Sequence, residues 1–344
     1  MTTSESAVDI SIDAEGTITV GPRTIPLPGS ISEPMRRALS TQPPPQEAIP
    51  SPDDKDAWRQ LVEQWNAASA PAVDAVLQAT KELAAIETVT LGETVVHVGT
   101  PTRPAGQNRE RAVITVHGGG FILFGGAAAR RFAAEATAQW NCPSYAVDYR
   151  MPPGHPYPAA LDDTLAVYRY VLERHEPANV VLSGQSSGAA LAAGAVLRAR
   201  DEGLPLPGAL MVSTPECDMS ESGDSFHTLQ SIDPRLPAWI SDAAKLYVGD
   251  HDPADPYLSP IFADFSRGFP PTLVQSGTRD VFLSNAVRLH RALRDAEAEA
   301  ELHVWDAVPH HGFVGFAPGA AENAEILAEQ TRFLAKHGGP AWRG

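Results

Sequence analysis

The stretch Val180-Val181-Leu182-Ser183-Gly184-Gln185-Ser186-Ser187-Gly188, followed by the alanine-rich run 189–200, decides how this chain must be read. Val180, Val181 and Leu182 make a short apolar run of the kind buried in a sheet, and the segment after Gly188 has the composition of a helix. A chain that passes from strand to helix across so few residues must bend sharply. Glycines at 184 and 188 remove the side chains that would collide in that bend. Ser186 stands at its apex, its hydroxyl raised above the sheet and the positive end of the following helix behind it. A glycine-serine turn can arise by chance. The strand before it and the helix after it make Ser186, rather than Ser183 or Ser187, the candidate nucleophile.

Working outward, the same texture repeats. Short β-branched runs occur at 94–98, 112–116, 144–147, 180–182, 210–212, 272–274 and 302–305, and helical patterns lie between several of them, at 127–140, 158–173, 187–201, 284–298 and 320–336. Continuous apolar strands separated by helices predict a mostly parallel sheet with helices on both faces. No internal repeat is visible. Before this region the pattern differs. Residues 1–50 are rich in Pro, Ser and Thr and read as extended or irregular apart from a short helix near 33–39. Ser51, with Pro52 and two aspartates after it, reads as a helix start; Trp58, Leu61, Val62 and Trp65 recur at helical spacing, and Pro71 is expected to open a second helix running to about Ile86. The division expected is an N-terminal extension and helical cap over 1–87, folded onto a catalytic domain over 88–344.

Directly after the strand at 112–116 comes His117-Gly118-Gly119-Gly120-Phe121. Three glycines at a strand end let backbone N–H groups approach a ligand, as acyl transfer needs when a carbonyl oxygen becomes an oxyanion. The donors expected are the amides of Gly118, Gly119 and Ser187. A phosphate loop is excluded by detail: GxxxxGK[ST] is missing, and Leu123 stands where GxGxxG needs its last glycine. His117 reads as a brace for the loop. An orienting acid and a base should follow the serine in chain order. Asp280 lies in the loop after the strand at 272–274, and the adjacent histidines His310 and His311 lie in the loop after 302–305. Both loops are at the carboxyl ends of strands, where sites in open α/β sheets form. Asp306 is a rival acid but sits almost beside the histidines.

The chain carries 42 acidic and 26 basic residues in 344, a formal net charge of −16. That balance argues against nucleic acid or anionic membrane as partners. Neither Cys142 nor Cys217 has metal-ligand spacing, so buried free thiols and no metal are expected. The start MTTSESAVDI lacks a basic and an apolar signal region, and no apolar run reaches membrane-spanning length, so a cytoplasmic protein without a membrane span is expected. The oligomeric state is left open, a homodimer included.

Taken together, His117-Gly118-Gly119-Gly120-Phe121, Asp148-Tyr149-Arg150, the run His155-Pro156-Tyr157-Pro158-Ala159-Ala160-Leu161-Asp162-Asp163 and the serine pentapeptide resemble the hormone-sensitive-lipase-like (HGGG) family of bacterial esterases over roughly 90–335. The resemblance implies an α/β-hydrolase fold with an N-terminal helical cap shaping the acyl pocket, hydrolysis of carboxylic esters by a Ser-His-Asp triad, and no cofactor. It supports Ser186 and Asp280. The family's usual interval from strand to base picks His310, while adjacency to Gly312-Phe313 would pick His311; His310 is preferred and His311 is the alternative base. The chain departs from the family pattern at Gln185, at Ser187 and in Asp280-Val281-Phe282-Leu283, none of which removes a catalytic group.

The substrate expected is a small-molecule ester of short to medium acyl length. Trp58, Trp65, Phe121 and Trp239, with Leu61, Phe226, Leu236 and Ile240 beside them, are candidate pocket residues, each of which could equally pack cap against body. A lactonase or an amidase/peptidase would use the same triad, and a chromogenic amide panel separates the latter. A non-catalytic receptor on this fold would fail to label at Ser186 with a fluorophosphonate.

Overall fold

The computed structural model describes residues 10–14, 17–22, 24–41, 49–103, 106–229, 232–233, 240–310, 312 and 316–343. A short antiparallel pair, β1 (Ile10–Ile12) and β2 (Ile18–Val20), stands apart from the main sheet. That sheet comprises β3 (Ala84–Leu91), β4 (Thr94–Pro101), β5 (Ala112–Val116), β6 (Ser144–Asp148), β7 (Val180–Gln185), β8 (Ala209–Ser213), β9 (Thr272–Arg279) and β10 (Ala300–Pro309). Their spatial order is β10-β9-β8-β7-β5-β6-β4-β3. β4 runs antiparallel to both its neighbours, and every other pairing is parallel.

The helices are α1 (Glu33–Ser40), α2 (Lys55–Thr80), α3 (Ala127–Trp140), α4 (Ala159–Leu172), α5 (Ser187–Asp201), α6 (Ser225–Thr228), α7 (Ile240–Val248), α8 (Leu283–Asp295) and α9 (Ala321–His337). Alternation along the strands sends side chains to two cores. Ile114, Val116, Leu182, Leu210, Val212 and Val274 pack under α4, α5 and α8, whereas Val113, Val181, Met211 and Leu273 meet Phe333 and Leu334 of α9. α5 is buried along almost its whole length, so its surface had to be small. Leu191, Val196 and Leu197 there each contribute roughly 1.5–3 kcal/mol by leaving water. Asp163 on α4, wholly buried, accepts from Thr94 Oγ1 at 2.6 Å, Arg150 N at 2.7 Å and Arg150 Nη2 at 3.0 Å, which locks β4, the end of β6 and α4 together.

The mostly parallel sheet covered on both faces is the architecture expected. The N-terminal third differs from expectation in four places. Pro71 does not open a second helix: α2 is continuous and contains it. The packing of Trp58, Leu61 and Val73 holds a helix that proline alone would break. Asp54, not Ser51, caps α2, its Oδ1 accepting from Ala57 N at 3.0 Å. Residues 84–86 belong to β3, which straddles the boundary expected at 87/88. Finally, β1 and β2 add a hairpin to a segment read as irregular. Both cysteines are free and buried, and burial pushes the Cys142 thiol up to about 12.

Two anchors bring the N-terminal helices to the site. Ile31 and Met35 pack on Ala307, Val308 and Ile326, and Glu322 at the start of α9 accepts from Ser32 N at 2.7 Å and Ser32 Oγ at 2.5 Å. Trp58 and Leu61 of α2 pack on Ile122 and Leu123, which follow the triple glycine, and on Ala243 and Leu246 of α7. Among the described residues no helix is long and apolar enough to cross a membrane.

Candidate active site

The chain order reverses between β5 and β7, one strand leading to β6 on its far side and the other to β8. A crevice opens at the carboxyl ends of the strands on either side of such a reversal. β7 ends there in Gln185, and Ser186 follows with φ 56° and ψ −126°, a strained conformation for a side-chain-bearing residue. Ser187 then begins α5. Ser186 N donates to Ser213 O at 3.0 Å, fixing the elbow to β8. The flanking glycines are sterically required: a methyl on Gly188 would overlap the Val116 and His117 carbonyl oxygens, and one on Gly118 would lie 2.9 Å from Ser186 Cβ.

That last distance places the glycine loop against the serine. Gly119 and Gly120 have φ of 112° and 59°, so the chain curls back on itself, and Ile122 N and Leu123 N both donate to Gly119 O at 3.1 Å. Among the described residues the amides of Gly118, Gly119 and Ser187 have no acceptor. His117 braces the loop. Its Nδ1–H donates to Gly118 O at 2.8 Å, its ring stacks on Tyr149 at 4.2 Å, and its own carbonyl accepts from the Tyr149 hydroxyl at 3.0 Å. Burial brings its pKa down to about 4, so at neutral pH the ring is uncharged.

From the other side, His310 Nε2 lies 2.9 Å from Ser186 Oγ, and His310 Nδ1 lies 3.1 Å from Asp280 Oδ1. A carboxylate can only accept, so Nδ1 carries the proton and Nε2 is the acceptor facing the hydroxyl. Asp280 is itself held by Ser276 Oγ at 2.6 Å and Phe282 N at 3.0 Å. Ser186 is 1% exposed, and Asp280 and His310 are wholly buried. That burial holds the imidazole down, to about 4, while the charge of Asp233 pulls it upward. A hydroxyl, a neutral base and an orienting acid in line, with free amides opposite, can transfer an acyl group.

Residues 113–314 match a family model described as α/β hydrolase fold. An acetyl-hydrolase of Streptomyces hygroscopicus is 33% identical over 210 residues, covering 60% of this chain and 70% of that protein. The crystal structure of an esterase, E25, superposes with a TM-score of 0.83 and 33% identity over 93% of this chain and 98% of that one. A further crystal structure, of an esterase from the bacterial hormone-sensitive lipase family, gives 0.72 and 27% over 90% and 99%. The chain belongs to the hormone-sensitive-lipase-like esterases of the α/β-hydrolase fold. It is a serine carboxylesterase.

Two acidic residues of this esterase's site carried no role in the sequence reading. Glu216, in the turn after β8, is buried, its amide donating to Ser186 O at 3.2 Å and its Oε2 without a partner among the described residues. Burial and the nearby Glu221 push its pKa well above the usual carboxylate range. Its place at the carboxyl end of a central strand was the available signal. Asp233 had none: it lies among ordinary loop residues and reaches the site only through the fold.

The expected pocket residues separate in space. Trp58 and Phe121 are wholly buried, the first donating from Nε1 to Ser51 O at 3.2 Å, the second stacked on Tyr247 at 4.0 Å. Trp65 packs with the Trp58 cluster behind the glycine loop. Phe226, Ile240, Val281 and Phe282 form a cluster of their own, and Phe282 sets its ring edge-on to His310 at 4.8 Å. His311, Leu236 and Trp239 lie outside the described residues. Asp306 turns away from the histidine, its Oδ1 3.3 Å from Thr278 Oγ1. Among the described residues one trio, Glu299, Glu301 and His337, has the reach to hold a cation, and Lys336 Nζ already lies 3.5 and 3.1 Å from the two carboxylates.

Proposed function

We propose that this esterase hydrolyses carboxylic esters of short to medium acyl chain by way of an acyl-enzyme on Ser186. His310 takes the serine proton as Oγ attacks the ester carbonyl, and Asp280 holds the tautomer and stabilises the imidazolium. The amides of Gly118, Gly119 and Ser187 receive the oxyanion. His310 then protonates the leaving alkoxide, and water repeats the cycle on the acyl-enzyme. The observation that carries the proposal is the unbroken chain from Ser186 Oγ to His310 and Asp280, at 2.9 and 3.1 Å, on a strained elbow.

Segment 1–87 serves as the cap over 88–344 in this reading, with Trp58 and Trp65 backing the glycine loop and the Phe226 cluster forming an apolar wall beside His310. A short acyl preference agrees with so enclosed a serine and with the acetyl-hydrolase relative. The test is hydrolysis of p-nitrophenyl esters from acetate to palmitate by wild type and Ser186→Ala. Activity should peak at acetate to hexanoate and fall on the order of 10⁴-fold or more in the variant. Near-wild-type hydrolysis by Ser186→Ala would refute the nucleophile, and a maximum at palmitate would refute the acyl preference.

A further inference from the structure

Strand pairing between β9 and β10 shifts register between Trp305 and Pro309, where Ala307 takes φ 56°. Just past this irregular stretch His310 faces Ser186, its Nε2 2.9 Å from Oγ. β10 ends at Pro309, so the His310 amide lies beyond the ladder and needs an acceptor from elsewhere. Asp233 supplies it. Its Oδ2 accepts from His310 N at 3.0 Å, and the same oxygen accepts from Val281 N at 3.4 Å, the amide next to Asp280. Asp233 belongs to neither loop: it comes from the segment between α6 and α7 and is itself buried. One carboxylate therefore joins the loop after β9 to the loop after β10.

We propose that Asp233 is a positioning residue of this active site, tying the Asp280 loop to the His310 loop and favouring the imidazolium that forms as Ser186 attacks. The proposal rests on the Ser186–His310–Asp280 reading above. Its electrostatic part follows from which groups face the imidazole. Asp280 meets Nδ1, Ser186 meets Nε2, and Phe282 presents a ring edge. Glu216 lies beside the serine in the turn after β8, where burial disfavours its charged form. Asp233 adds a second acidic side chain on the backbone side of the histidine. Two amides pointing at one carboxylate oxygen favour its charged form. A buried negative charge placed there acts on the imidazolium far more strongly than it would in water.

Three variants of the full chain separate this role from plain packing. Asp233→Asn keeps an oxygen for both amides and loses the charge; Asp233→Glu keeps the charge and disturbs the geometry; Asp233→Ala loses both. The measurements are kcat and KM for p-nitrophenyl butyrate from pH 4 to 9, the rate of fluorophosphonate labelling, and the urea midpoint. Asp233→Asn should lower kcat about tenfold with KM little changed, and move the acid limb of kcat/KM to lower pH, because a lost negative charge makes His310 harder to protonate. Asp233→Glu should leave the acid limb where wild type has it. Asp233→Ala should lose about 10²-fold in kcat, as reacting groups displaced by about 1 Å do. Should Asp233→Ala not fold, the Asn and Glu variants decide alone. An acid limb and kcat in Asp233→Asn that match wild type overturn the proposal. His310→Ala and Ser186→Ala run beside them: if those stay active, the triad reading fails; if they are dead while Asp233→Asn is unchanged, only the role of Asp233 fails.

Discussion

Gly188→Ala should cripple catalysis more than it destabilises the fold. A methyl group at 188 would stand against the carbonyl oxygens of Val116 and His117, about 1 Å closer than a carbon and an oxygen tolerate. Both obstacles are backbone at the end of β5, so no side chain can swing aside. Either α5 retreats from the sheet or the glycine loop lifts. Overpacking of this kind costs about 1–3 kcal/mol. The catalytic loss is larger, because either movement parts Ser187 and Ser186 from Gly118 and Gly119. A shift of about 1 Å at reacting groups costs about 10²-fold in rate. It would also stretch the 2.9 Å contact between Ser186 Oγ and His310 Nε2 past hydrogen-bonding distance. The control is Gly203→Ala, just beyond the other end of α5, where φ is +74° and no atom lies within 4 Å of the added methyl. Left-handed strain there costs about 1–2 kcal/mol and touches no catalytic group. Urea midpoints should fall in both variants, whereas kcat on p-nitrophenyl butyrate should fall about 10²-fold in Gly188→Ala alone. If Gly188→Ala keeps kcat within about threefold of Gly203→Ala, the elbow and the glycine loop are not coupled as argued.

Two pH effects follow from the buried groups. Burial holds the Glu216 carboxyl well above the usual carboxylate range, so it gains its charge only at a higher pH than an ordinary carboxyl, close to where the oxyanion develops. Glu216→Gln should therefore keep kcat within about threefold at pH 7 and hold its activity further into the alkaline range; a superimposable alkaline limb would discard this role. His117 and His310 are both lowered from 6.5 to about 4, so below pH 6.5 the unfolded chain binds protons that the folded one refuses. Stability present above pH 6.5 is thus lost as pH falls towards 4, by about 2 kcal/mol per histidine between pH 7 and 5. His117→Phe, which can still stack on Tyr149 but cannot ionise, should show a smaller drop in urea midpoint over that interval, and an equal drop would contradict the assignment.

The parts of this fold that could be read in advance are those whose signal is local and periodic. β5, β7 and β9 are short apolar runs buried on both faces, and α5 follows Gly188 in one unbroken pattern, so residue type alone placed them. β3 escaped because it is a half-exposed edge strand: Ala84-Ala85-Ile86 continues the composition of the helix before it, and its alternation begins to show only at Thr88. Pro71 misled for the complementary reason, since a local rule against proline was outweighed by contacts of Trp58 and Leu61 with residues far along the chain. The site divides in the same way. Ser186 and the triple glycine each announce themselves within a few residues. Asp233 lies 77 positions from the amide it holds and 48 from the other, and nothing near it in sequence records either. The histidine pair shows the limit most clearly. Neighbouring residues in a regular strand point to opposite faces, so the ring that reaches the serine depends on the register at which β10 ends. The irregular stretch around Ala307 shifts that register, four residues of β10 from Trp305 to Pro309 spanning two of β9 from Gly277 to Arg279, and the two extra residues leave no mark in composition or period. Beyond that stretch the ring at 310 lies 2.9 Å from Ser186 Oγ.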